Sequence, residues 1–194
     1  MNRRQVLAGL GTAVSAATAG CLSGLVGDAE RASGDPVADL PETPGEYPVS
    51  TGDLGGFAPR ETHRRVEVGS REGVHEDFQP HDVAVWNAAG YPETGVEVVD
   101  YTTETRPLDR TFAVPEGAAV RVSLLEPAPY LVTVRVPDAG VEQTLRVPCP
   151  VFDCNDSATQ VGLFEDGIRS AAWTTLLACR SATCVPEVEV SILD

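Results

Sequence analysis

Between residues 130 and 136 the chain reads YLVTVRV. Tyr130, Val132, Val134 and Val136 fall on one side of an extended chain, Thr133 and Arg135 on the other. A period of two with one polar face specifies a half-buried strand, because successive strand side chains point to opposite faces. The same alternation sets Val120, Val122 and Leu124 against Arg121 and Ser123, and Val188, Val190 and Ile192 against Glu187, Glu189 and Ser191. Less regular apolar runs lie at 65–68, 82–87, 96–101, 110–114, 141–147, 159–165 and 168–177. Together they give about nine or ten short strands. Asp166-Gly167, between the last two runs, is a two-residue hairpin signal, since Asp and Gly tolerate positive φ. Pro-Glu-Gly at 115–117 and Pro-Asp-Ala-Gly at 137–140 are further breaks. No stretch keeps a helical period, although 169–177 reads either way. So many short strands bury their apolar faces by pairing two sheets, so the expected fold is all-β, an antiparallel two-sheet sandwich.

Upstream of about residue 61 the alternation stops. Residues 22–60 are rich in Gly and Pro interleaved with acids. Such a stretch cannot bury enough apolar surface to offset its ordering entropy. It reads as a flexible acidic tether, with Val49 and Leu54 able to dock as an irregular lead-in.

The N-terminus reads MNRRQVLAGLGTAVSAATAGC. Arg3-Arg4, a short apolar run from Val6 to Ala19 and small residues before Cys21 make an export signal, too short for a comfortable membrane span. The paired arginines resemble a twin-arginine signal, although Val6 stands where Phe is usual. Ala19-Gly20-Cys21 resembles a lipoprotein cleavage box whose cysteine takes the lipid. These resemblances imply a signal peptide over 1–20, a tether over 21–60 and a sandwich domain over 61–194. They place the domain outside the cell, membrane-anchored through Cys21.

The chain carries a formal charge of −15, and all 14 of its basic residues are arginine. This acidic, lysine-free composition resembles the proteins of salt-loving archaea, where carboxylates hold hydration and cations while salt shortens the Debye length to about 3 Å at 1 M. Self-repulsion of this kind keeps a protein soluble and argues against nucleic acid as a partner. The phrase EPAPYLVTV at 126–134 resembles the strand entry of carboxypeptidase-regulatory-like and other immunoglobulin-like sandwiches, which implies an immunoglobulin-like arrangement. The immunoglobulin Cys…Trp…Cys order is absent, because the four late cysteines all follow Trp86.

Those cysteines, Cys149, Cys154, Cys179 and Cys184, form two Cys-x4-Cys pairs. In an exported chain an even number reads as disulfides. Pairing within each motif is expected, because each flanks a turn-like stretch, although larger loops would stabilise more by chain entropy. The alternative is a metal-binding or redox protein with four thiolates around zinc or iron. His63, His75 and His81 lie near acids but fit no ligand spacing, so surface loops are expected for them. Blue copper lacks its usual axial Met, since the only Met is Met1. Trp86 and Trp173 read as core aromatics. Asn155-Asp156-Ser157 is a glycosylation sequon, expected on an exposed loop.

No Gly-x-Ser-x-Gly, Walker loop or His-Glu-x-x-His occurs, and no carboxylate pair stands out. The expected function is therefore a non-enzymatic, lipid-anchored surface module that binds a protein, glycan or small solute. No cofactor and no metal site are expected.

Overall fold

The computed structural model describes residues 31–32, 34–37, 40, 44–179 and 184. The signal peptide, Cys21 and the alternating segment 187–192 lie outside the described residues. The strands, in chain order, are β1 (Arg31–Ala32), β2 (Asp35–Pro36), β3 (Glu61–Val68), β4 (His81–Asn87), β5 (Thr94–Asp100) and β6 (Thr105–Phe112), then β7 (Ala118–Leu124), β8 (Tyr130–Val136), β9 (Val141–Val147), β10 (Ser157–Phe164) and β11 (Gly167–Thr174). They form a two-sheet sandwich: a six-stranded sheet ordered β1-β3-β7-β4-β10-β11 and a five-stranded sheet ordered β2-β6-β5-β8-β9.

The smaller sheet is antiparallel throughout. The larger one is mixed, because β1–β3, β3–β7 and β4–β10 run parallel. Between β4 and β10 the chain makes two excursions to the smaller sheet, β5–β6 and β8–β9, with antiparallel β7 between them, so β10 re-enters the larger sheet in the direction of β4. Alternation fixes which face of a strand is buried. It does not encode which strand lies beside it.

Valines dominate the core: Val66, Val83, Val85, Val120 and Val122 from one sheet meet Val96, Val98, Val132 and Val134 from the other. Their partners in the alternation point outward and pair. On the smaller sheet Arg135 reaches both Glu97 and Asp109, and Arg106 meets Glu97 at 2.6 Å. On the larger sheet Asp82 accepts from Arg121 and Ser123, both at 2.6 Å. Tyr130 is buried at the start of β8, and its hydroxyl donates to the Glu126 carbonyl at 3.0 Å. This is the tyrosine corner found where a chain crosses between sandwich sheets, and it explains why the aromatic follows two prolines. Burial pushes the phenol well above its usual range.

The tight hairpin between β10 and β11 is present, one residue earlier than Asp166-Gly167 suggests. Phe164 pairs with Gly167, so Glu165 and Asp166 form the loop and Gly167, at φ 133°, is already in the ladder. Arg169 then bridges back to Asp166 and stacks on Phe164. β11 ends at Thr174, which resolves the ambiguity over 169–177 in favour of a strand followed by irregular chain.

The segment read as tether is the largest departure, because its described part is laid on the sandwich. β1 adds to the β3 edge, β2 adds to the β6 edge, and the Val37 amide donates to the Glu104 carbonyl. On the opposite side β9 and β11 lie next to each other. There Val49 pairs with Arg146 of β9 and Gly52 with Ala171 of β11, so a few residues span the open side from one sheet to the other. The chain then passes over the outer face of the larger sheet. Leu54 is 5% exposed, the Phe57 ring sits 5.5 Å from Trp86, and the Arg60 amide donates to the Gly117 carbonyl. Alternation aims Ala84, Ala119, Ala158 and Ala171 outward, yet all four are buried. These small side chains leave room for the strap. The sequence signal was a polar face carrying alanines, not any period within 22–60.

Candidate binding site at the stapled end of the sandwich

One hydrogen-bonded row crosses the larger sheet: Ala32, Val68, Leu124, His81, Ser157 and Thr174 are successive partners. Its far end carries the chemistry. The inner face there is polar where the rest of the core is valine, because His81 of β4 and Ser157 and Thr159 of β10 point between the sheets and are buried. They line a cavity of about 270 Å³ at the β9–β11 side, walled by Pro148, Val151 and Trp173 and flanked by Arg146 and Asp153. An apolar concavity with a few convergent polar groups is the usual form of a small-ligand site.

The hydrogen bonds fix the state of the floor. His81 Nδ1 lies 2.8 Å from Ser157 Oγ and Nε2 lies 3.0 Å from Thr159 Oγ1. Ser157 Oγ donates its single proton to the Val151 carbonyl at 3.0 Å, so it accepts from His81 Nδ1–H. Nε2 is then the lone-pair nitrogen and accepts from Thr159. Burial lowers the imidazole pKa from 6.5 to about 4, against an opposing pull from Asp82. The floor is a neutral hydrogen-bonding surface at ordinary pH. No carboxylate sits on either ring nitrogen, and the Ser157 proton is committed to a carbonyl, which differs from the wiring of a nucleophile and its base.

Both disulfides staple this end. Cys149 bonds Cys184 and Cys154 bonds Cys179, with Cα–Cα distances of 5.4 and 5.6 Å. The pairing is nested, which corrects the expectation that each Cys-x4-Cys motif closes on itself. The β10–β11 hairpin reverses the chain between the motifs, so the first cysteine of one meets the last of the other. With all four sulfurs in disulfides, none of the four stands as a thiolate here.

Asn155 sits inside the staple rather than on an exposed loop, and is 5% exposed. Its Nδ2 donates to Asp153 and to the Leu177 carbonyl at 3.0 and 3.3 Å. Its Oδ1 accepts from the Leu177 amide and the Thr175 hydroxyl at 2.7 and 3.2 Å. The folded chain offers no free side-chain amide at the sequon, because holding the β11 exit against the β9–β10 connection uses it.

The three histidines are not brought together. His63 lies on β3, His75 is exposed beside Asp77 in the β3–β4 connection, and His81 is buried in a strand, contrary to the surface-loop expectation. Among the described residues no group of three or more His, Cys, Asp or Glu is placed to hold a metal ion. Neither tryptophan is a core residue. Trp86 lies on the outer face between Phe57 and Phe164, and Trp173 is 46% exposed at the cavity wall. β11 is the outermost described strand of its sheet, which leaves Trp173 at an edge, whereas Trp86, on β4 in the middle of the sheet, stands on the outer face where the strap covers it only partly. Thr159, Arg146 and Asp153 carry no motif in the sequence and Ser157 stands there only as the last residue of the sequon, since each is an ordinary polar residue until the sheets bring it to the cavity.

No family model matches the chain, and no curated protein matches it. Among solved structures, the chain is similar to an NMR structure of a protein from Eubacterium rectale, with 13% identity and a TM-score of 0.28. That match covers 52% of this chain and 93% of the other. A likeness this slight carries no argument about function.

Proposed function

We propose that this protein is a non-enzymatic, lipid-anchored module of the outer cell surface, of haloarchaeal type, whose immunoglobulin-like sandwich takes a small solute or an extended group of a larger partner into the cavity beside His81. The observation that carries the reading is the cavity itself. Polar groups face inward at one end of a valine-filled sandwich, and two disulfides and a strap hold that end in shape. Preorganisation of this kind lowers the entropy lost on binding. Disulfides suit an oxidising extracytoplasmic setting, and the Arg3-Arg4 signal and the Cys21 box supply the route and the anchor. Acidic charge argues against nucleic acid and favours recognition by apolar contact and hydrogen bonds, which survive high salt.

Expression of the full chain in a haloarchaeal host tests the anchor. The wild type should be membrane-bound and cleaved by protease added to intact cells. Cys21→Ser should release it to the medium, and replacing Arg3 and Arg4 by lysine should retain it inside. A panel of glycans, amino acids and organic acids, screened by thermal shift on the mature protein in molar salt, tests the cavity. A hit whose stabilisation is lost on filling the cavity with Thr159→Phe supports the reading. Hits indifferent to that change overturn it.

A further inference from the structure

We propose that the stapled end of the sandwich rests on the lipid bilayer, with Leu176, Leu177 and Trp173 immersed in its interface. The proposal rests on the lipid-anchored reading above. Trp173, Leu176 and Leu177 are 46, 92 and 67% exposed, the large apolar side chains left in water among the described residues. They follow one another in space at the exit of β11. Their backbone is pinned while their side chains point out: the Leu177 amide and carbonyl are both bonded to Asn155, the Thr175 amide donates to the Asp156 carbonyl, and Cys179 is tied to Cys154. A rigid loop presenting two leucines beside a tryptophan matches the chemistry of a membrane interface, where a Trp ring takes the headgroup level and aliphatic chains go deeper.

Chain length selects the bilayer over other occupants. Because 31–32 and 35–36 are already strands, only nine residues, 22–30, separate the anchored cysteine from the domain. Fully extended, such a leash reaches about 35 Å at most. β1 pairs with the last two residues of β3, and β2 with the first two of β6. Both contacts lie at the sandwich end that carries the staples. The row from Ala32 to Thr174 places the leucine loop about 24 Å across that end from the leash, five strand spacings away. A second contact also answers the weakness of one lipid chain as an anchor, which is marginal by itself.

Asp153 and Asp156 flank the patch, so an anionic bilayer repels it until salt screens the charge. Attachment should therefore strengthen with salt, opposite to a basic-patch contact.

The mature chain carrying Cys21→Ser, which has no lipid, is floated through a density gradient with phosphatidylcholine–phosphatidylglycerol vesicles in low and in molar potassium chloride. The expected result is flotation that rises with salt. Brominated acyl chains should quench a fluorescence component that Trp173→Phe removes. Leu176→Ser with Leu177→Ser should weaken vesicle affinity at least about tenfold with melting temperature and both disulfides retained. The milder Leu176→Ala with Leu177→Ala replaces that pair if it fails to fold. Three results each overturn the proposal: no flotation at any salt, equal flotation of parent and leucine variants, or leucine-dependent self-association without vesicle binding. Cell-made protein lacking lipid on Cys21 refutes the anchored reading itself. Lipidated protein whose lipid-free form ignores vesicles refutes the bilayer contact alone.

Discussion

Replacing His81 by glutamine should flatten the acid limb of the stability curve, and the structure sets the size of the change. The imidazole is buried and neutral, with a pKa lowered from 6.5 to about 4 mainly by burial. In the unfolded chain it regains the ordinary value, so between those two pH values the unfolded state holds a proton that the folded state refuses. Stability from this group is therefore complete above 6.5, falls as pH drops through the window, and stops falling below about 4, where the folded state also protonates. Integrated over the window the loss is about 3 kcal/mol, of which about 2 kcal/mol is gone by about pH 5. For a chain of this size that is roughly 6–12 °C in melting temperature. Thermal melts in molar salt are run for the wild type and His81→Gln from neutral pH to pH 4. Glutamine keeps a donor and an acceptor near Ser157 and Thr159 but cannot titrate. The many carboxylates contribute to both curves and largely cancel in the difference. The variant should start lower and lose about 3 kcal/mol less across the window. Parallel curves, or an imidazole that titrates near 6.5 in the folded protein by NMR, would refute the reasoning.

Gly52→Ala should destabilise by about 1–3 kcal/mol in denaturant melts, because the added Cβ would lie 2.7 Å from the Ser170 carbonyl oxygen; a neutral result would mean the strap does not pass β11 this closely. Non-reducing digestion and mass spectrometry should recover 149–184 and 154–179 linked peptides, and removing the 25-residue Cys154–Cys179 link should cost about 3 kcal/mol. Peptides joined within either Cys-x4-Cys motif would contradict the nested staple. Asn155→Ala should cost about 2–4 kcal/mol, since it leaves the Leu177 amide without its acceptor, while Asn155 of the wild type should carry no glycan in intact mass.

Strand positions were legible because burial on one face writes itself into alternation. The pattern at 130–136 matches β8 residue for residue, and 141–147 matches β9. The strap was illegible for the complementary reason. Its contacts are scattered, among them two single-residue bridges, one leucine, one aromatic pair and the Arg60 amide on the Gly117 carbonyl, with no repeat for a sequence pattern to show. The nested disulfides were half legible: paired cysteines in an exported chain read as disulfides, but equal Cys-x4-Cys spacing admits closure within each motif as readily as between them. The cavity was not legible, because Ser157 and Thr159 lie 76 and 78 residues from the histidine they hold.

By itself, then, the sequence determined that this chain is all-β and disulfide-bonded, because a period of two and an even number of paired cysteines are local facts. Tertiary structure alone decided that the larger sheet is mixed, that the lead-in is a strap, that Asn155 is a buried hub and that a polar floor lies inside a valine core. Each of those depends on which distant strand becomes a neighbour. That choice is made by packing two twisted sheets face to face, and no single strand carries it.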